Sequence, residues 1–312
     1  MHMETPNQPL PTADPADSRA AASEAVITSE QTPAAAPAKP GMSRRATMLI
    51  LLIAISFVVM PFLFWRASWF GAPMSAADIT EALAPGAEAR KTQHALARLA
   101  TLMDAHSPAP RQWYPAIAAE GKHPDPQIRL TAAWVMGLDN TSQEFHQTLS
   151  SMLADPDAMV RINAALALVR FADPAGRPQL LALLQPYTIA APAAGFTTAT
   201  LRPRLKEHEA VRAGTLVARM DSPEGVIEVR SPVPGVFERW LQPAGAPIVP
   251  QQPICLLSPD PSSAWEALRG LYLIGRPEDA TVIASFLRTT PDLPASVAEQ
   301  ARLTLQTLQS RK

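Results

Sequence analysis

The sequence has little of the material from which many active sites are built. Its single cysteine, Cys255, excludes an internal disulfide and any all-cysteine zinc or iron–sulfur site. No glycine-rich phosphate loop and no G-x-S-x-G elbow occurs, so the chain offers no nucleotide cradle and no serine nucleophile of that type. Charge of one sign is also lacking. With 27 basic and 28 acidic side chains, the net charge of −1 leaves no basic surplus to hold a phosphate backbone, and nucleic acid is not an expected partner. What the chain does have is length for roughly two domains, an apolar content of 47%, and 33 prolines against 13 glycines.

The prolines concentrate unevenly. Residues 1–45 hold seven prolines, ten alanines and no aromatic residue, too little apolar surface to offset chain entropy, and are expected to form a disordered tail. Residues 46–65, ATMLILLIAISFVVMPFLFW, carry no charge. As a helix they would rise about 30 Å, the thickness of a hydrocarbon core. Arg44 and Arg45 precede this run, Arg66 follows it, and Trp65 and Trp69 stand where an interfacial belt would lie. The reading is a single transmembrane helix, kinked at Pro61, with a cytoplasmic N-terminus. It places residues 66–312 in the periplasm, anchored to a bacterial inner membrane.

The next portion repeats. Aligned on their arginines, HPDPQIRLTAAWVMG (123–137) and DPDAMVRINAALALV (155–169) match at a period of 32 residues, pairing Pro124 with Pro156, Asp125 with Asp157 and Arg129 with Arg161. Each aspartate can cap a helix, and each has an arginine four residues later on the same face. Paired alanines (Ala132–Ala133 and Ala164–Ala165) let neighbouring helices approach closely. Arg129 and Arg161 are expected to form an Asp–Arg ladder between repeats. A self-match at this period marks a helical solenoid, and these residues resemble HEAT repeats, closest to the HEAT-like repeats also found in bilin lyases. The solenoid is assigned to 78–187 and its resumption, as C-terminal helical repeats, to 262–310.

Between them the periodicity switches. Residues 188–258 show short alternating runs such as VIEVR (226–230) among prolines and glycines, as strands would. Two halves match, with Gly195 against Gly235, Val211 against Val249 and Leu216 against Ile254. The order of elements through SPVPGVFERW resembles the biotinyl/lipoyl-type domain, a barrel-sandwich hybrid. That resemblance implies a carrier lysine eight residues ahead of Pro232, where this chain has Glu224. A carboxylate cannot form the amide to biotin or lipoate, and Lys206 lies outside that hairpin. The same unmodified module occurs in periplasmic membrane-fusion adaptors. The expected fold class is thus α+β multidomain: one transmembrane helix, an α-solenoid and an inserted all-β domain.

No constellation of side chains points to catalysis. His208–Glu209 is a lone pair in a strand-forming region, and His94, His106, His123 and His146 lack the i, i+4 spacing of helical metal ligands. Cys255 sits in the apolar run PICLL as a small hydrophobe, while Ser231 and Ser258 lie in turn contexts. Catalytic, cofactor-binding and metal sites are therefore expected to be absent, and no cofactor is assigned. The chain reads as a non-enzymatic scaffold or adaptor holding a protein partner in a membrane complex, in transport or export if the adaptor analogy holds. The alternative is a tetrapyrrole-cofactor lyase or chaperone built on HEAT-like repeats.

Overall fold

The computed structural model describes residues 43–70, 74–290 and 292–311; within the first stretch, side chains are described for 43–45 and 47–63. The tail expected at 1–45 lies outside the described residues, save its last three. The chain divides into two units, Met1–Trp69 and Phe70–Lys312. The first contains α1 (Arg44–Phe70), which runs through Pro61. No helix among the described residues is long and apolar enough to cross a membrane. The transmembrane span expected at 46–65 is corrected accordingly. The inner-membrane location, the cytoplasmic N-terminus and the periplasmic ectodomain rested on that span and are corrected with it. The fold class is mixed helix and sheet.

In the second unit, helices follow one another in pairs. These are α2 (Ala76–Ala82) with α3 (Ala89–Asp104), α4 (Tyr114–Ala119) with α5 (Pro126–Met136), α6 (Gln143–Met152) with α7 (Ala158–Arg170), α8 (Arg177–Ala182) with α9 (Pro261–Ile274), and α10 (Ala280–Thr289) with α11 (Ala295–Ser310). Three of the second helices start in the same way. Asp125 accepts from Gln127 N at 2.8 Å, Asp157 from Met159 N at 2.8 Å, and Asp260 from Ser263 N at 2.8 Å, each satisfying an N–H that the helix cannot. The second helices α3, α5, α7, α9 and α11 lie in sequence against one another. Their small residues permit this: Ala132, Ala133, Ala164, Ala165, Ala264 and Ala267 are all fully buried. A Cβ added at Gly176 would stand 2.9 Å from the Cα of Ala165, so the backbones themselves are in contact there.

Arginines close the far ends. Arg170 of α7 donates to the carbonyl of Gly137 beyond α5 at 3.0 Å, and Arg311 beyond α11 donates to that of Tyr272 in α9 at 2.6 Å. A cation at a helix C-terminus satisfies free carbonyls and opposes the dipole. The Asp–Arg ladder expected between repeats is present at Arg129, which grips Asp155 of the next repeat through Nε at 2.7 Å and Nη2 at 2.8 Å.

The β domain is inserted inside a helix pair, between α8 and α9, and not between repeats. It has eight strands: β1 (Tyr187–Ala190), β2 (Ala199–Pro203), β3 (Ala210–Val211), β4 (Leu216–Ser222), β5 (Gly225–Arg230), β6 (Gly235–Trp240), β7 (Pro247–Ile248) and β8 (Pro253–Pro259). They form two four-stranded sheets of order β1-β8-β6-β3 and β5-β4-β2-β7. Moving each strand four places along the chain, cyclically, converts one order into the other, the signature of a pseudo-twofold duplication. Backbone detail follows the same symmetry. His208 and Gly245 take positive φ (62° and 79°) two residues ahead of β3 and β7, and Gly214 and Gln251 (84° and 63°) do so two residues ahead of β4 and β8. The crossing bond Gly245 N to Leu201 O (2.9 Å) has its counterpart in His208 N to Phe237 O (3.0 Å). The true offset is therefore 37 residues over β3–β4 and β7–β8 (210 to 247, 216 to 253). Val211 answers Ile248, and Val217 answers Ile254. The match of Gly195 with Gly235 is out of register. Ile189, Val217, Met220, Phe237, Ile254 and Leu257 lie within a core separate from those of the helices.

Candidate functional site

The row of second helices leaves one face open. Counted from the capping aspartates, Trp134, Leu166 and Arg269 hold the same place, nine residues after Asp125, Asp157 and Asp260. Trp134 is 48% exposed, and further along the row Leu273 is 62% and Leu303 47% exposed. Between α7, α9 and α11, Leu273 and Leu303 border a groove of about 520 Å³ whose walls also include Leu166, Val169, Arg170 and Arg269. The Arg269 guanidinium lies 4.6 Å from the centroid of the Trp265 ring, a cation–π contact that holds a charge beside the apolar strip. Apolar anchors edged by arginines are the composition of the energetic centre of a protein interface.

A larger recess, about 710 Å³, opens at the loop ends of α3, α5 and α7, with Tyr114, Asp139, Arg111, Arg170 and His106 among its walls. The Tyr114 hydroxyl donates to Asp139 at 2.6 Å. Burial, then the hydrogen bond and charge of Asp139, push the Tyr114 hydroxyl up to about 12. Burial opposes ionisation of Asp139, but hydrogen bonds from Thr141 and Tyr114 and the Arg111 charge outweigh it and hold the carboxyl below its ordinary value. At neutral pH the pair is a neutral phenol donating to a carboxylate.

The histidines are not brought together. His94 and His106 are exposed. His123 Nδ1 accepts from Asp125 N at 3.0 Å. His146 bridges neighbouring repeats, with Nε2 2.7 Å from Asp173 and its ring stacked 5.2 Å from that of Phe171. His208 occupies the left-handed turn before β3, and Glu209 accepts from Lys206 N at 3.0 Å. Ser231 donates to Val233 O at 2.6 Å and Ser258 to Glu238 at 2.9 Å. Among the described residues, no group of three or more His, Cys, Asp or Glu side chains could hold a metal ion. Glu224 is exposed in the two-residue loop between β4 and β5, which Ser222 Oγ closes by donating to Gly225 O at 2.9 Å.

Cys255 is fully buried on β8, and burial pushes its thiol up to about 12. Since the thiolate is the reactive form, a disulfide reagent at about pH 8 should label no thiol in the folded chain and one after denaturation. Rapid labelling of the folded chain would show that the thiol is accessible.

The sequence pattern has a third copy that the 32-residue period hides. Ser258-Pro259-Asp260-Pro261 repeats His123-Pro124-Asp125-Pro126 and Asp155-Pro156-Asp157-Ala158, displaced by the insertion. His123, Asp155 and Ser258 are therefore equivalent, two residues ahead of the three capping aspartates.

A sequence profile of HEAT repeats matches residues 115–193, from α4 to just beyond the first strand. This part of the chain is HEAT-like, a repeat type that commonly mediates protein–protein interaction. A search of curated proteins gave no match.

Proposed function

We infer that the protein is a non-enzymatic scaffold that binds a protein partner along the open face of α5, α7, α9 and α11. The observation that carries this reading is the groove where exposed Leu273 and Leu303 lie beside Arg269 and Leu166, with exposed Trp134 at the position on α5 equivalent to Leu166 and Arg269. Isolated exposed hydrophobes are ordinary, whereas apolar residues grouped in a groove on a solenoid face mark an interaction site. The β domain is read as an unmodified biotinyl/lipoyl-like module offering a second surface. Two four-stranded sheets related by a pseudo-twofold support that reading, as does Glu224 at the tip of the β4–β5 hairpin where a carrier would need lysine.

The test is photocrosslinking in native extract from a reporter placed at Leu273, with exposed Glu144 on α6 as the control position. One protein should be captured repeatedly from Leu273 and not from Glu144. Trp134→Ala should weaken its binding by about 2 kcal/mol, roughly thirtyfold, without shifting the melting temperature. Single substitutions of His94, His146, His208, Glu209 or Cys255 should leave binding and the cellular phenotype intact. Equal capture from both positions would defeat the reading, and an essential histidine or cysteine would favour an enzyme.

A further inference from the structure

Beyond partner binding, the interrupted arginine ladder exposes a second site. Arg129 and Arg161 are equivalent, and each uses Nη1 in the same way. Arg129 donates to the carbonyls of His123 (2.9 Å) and Pro124 (3.1 Å), and Arg161 to those of Asp155 (2.6 Å) and Pro156 (3.0 Å). Arg129 then turns its remaining edge, Nε and Nη2, onto the two oxygens of Asp155 in the next repeat. For Arg161 the equivalent position in the next repeat is Ser258, whose hydroxyl is engaged with Glu238. Among the described residues no carboxylate lies within ion-pair distance of Arg161, and its Nε and Nη2 donate to no one. The chain left the solenoid after α8 and returned with a serine where the ladder needs an acid.

At that place there is a pocket of about 100 Å³. Arg161 lines it, and its other walls include Ile162 and Leu183 from the helices and Val233 and Pro234 from the β domain. Asp260 also borders it, with its carboxylate engaged by Ser263 N and Oγ at 2.8 and 2.7 Å.

We propose that this pocket binds a small monocarboxylate with a short apolar chain, its carboxylate taking on Arg161 the place that Asp155 takes on Arg129. The internal repeat supplies the geometry, since a planar guanidinium edge presents two parallel N–H donors to a carboxylate. The apolar walls receive the chain. Asp260 selects against a second negative charge, so a dicarboxylate is rejected.

The test is calorimetric titration of the full-length chain with sodium pentanoate, 1-pentanol and glutarate. Pentanoate should bind saturably, and the alcohol and the diacid at least tenfold more weakly. Arg161→Gln should reduce pentanoate affinity at least tenfold. Because Arg161 also bonds backbone carbonyls, a second variant leaves it untouched: Ala182→Phe, at an exposed position lining the pocket, should fill the site and abolish binding with the fold intact. Absence of saturable pentanoate binding overturns the proposal. So does equal affinity for 1-pentanol, or wild-type affinity in folded Ala182→Phe. None of these outcomes involves the open helix face, so the scaffold reading stands or falls separately.

Discussion

Replacing Asp279 with alanine should destabilise the Phe70–Lys312 unit by about 3–5 kcal/mol, the cost of leaving one charge of a buried pair uncompensated. Asp279 is only 3% exposed, and Arg177, 14% exposed, grips it through Nε at 2.9 Å and Nη2 at 2.6 Å. The carboxylate also accepts from Arg276 N at 2.8 Å. This pair joins the start of α8 to the turn before α10, spanning the inserted β domain in sequence. Glu278 reaches the same arginine at 3.4 Å but is 64% exposed, too well solvated to replace the lost charge. Thermal or urea melts measure the loss. The double change Arg177→Met with Asp279→Leu should cost far less than Asp279→Ala alone, because no bare charge remains. A loss within about 0.5 kcal/mol for the single change, the range of a surface position, would mean the pair is solvated.

The same pair sets the acid limit of stability. Burial opposes ionisation of both Asp279 and Asp155. The hydrogen bonds and charges of Arg177 and Arg129 outweigh it, and both carboxyls lie below their ordinary value. A carboxyl depressed in the folded state contributes stability that is fully present above its unfolded value, near about 3.9, and is lost as pH falls through the folded value. The melting temperature should therefore be flat with respect to these groups at neutral pH and drop below about pH 4. Asp279→Ala should show a shallower drop than wild type.

The helical pattern was legible where it was local. The motif of proline, capping aspartate and arginine declares itself at 123–129 and 155–161 because both copies are intact and 32 residues apart. The third copy, at 258–261, was not legible. The insertion moves it out of period, and Ala264 stands where the arginine would be. His146 looked isolated because its partner Asp173 is 27 residues away, in the next repeat. The halves of the β domain were visible, but in the wrong register. Aligning glycine with glycine fails there because His208 and Gln251 hold left-handed turns that glycine holds in the other half. The open helix face was hidden for a different reason. Periodicity assigns apolar residues to a buried stripe, and only packing shows that Trp134, Leu273 and Leu303 are left uncovered.

Deleting residues 187–257 outright should leave a cooperatively folding, all-helical protein. The insertion leaves and returns at one place, since β1 and β8 are antiparallel neighbours with Tyr187 opposite Leu257, which puts those Cα atoms about 5 Å apart. Joining 186 to 258 leaves seven residues, 183–186 and 258–260, between α8 and α9; the preceding pair needs five, 153–157, between α6 and α7. The shorter loop also costs less chain entropy to close. Asp260 stays to cap α9, and the core formed by Ala165, Leu180, Leu268, Ile283 and Phe286 draws on no strand residue. Circular dichroism should show helical content preserved with the sheet signal gone, and melting should remain a single transition. The open face is untouched, so crosslinking from Leu273 should still capture its partner. Pentanoate binding should vanish, because Val233 and Pro234 leave with the domain. A molten or aggregated product would mean that the strands hold α8 against α9, and that the two cores are one folding unit.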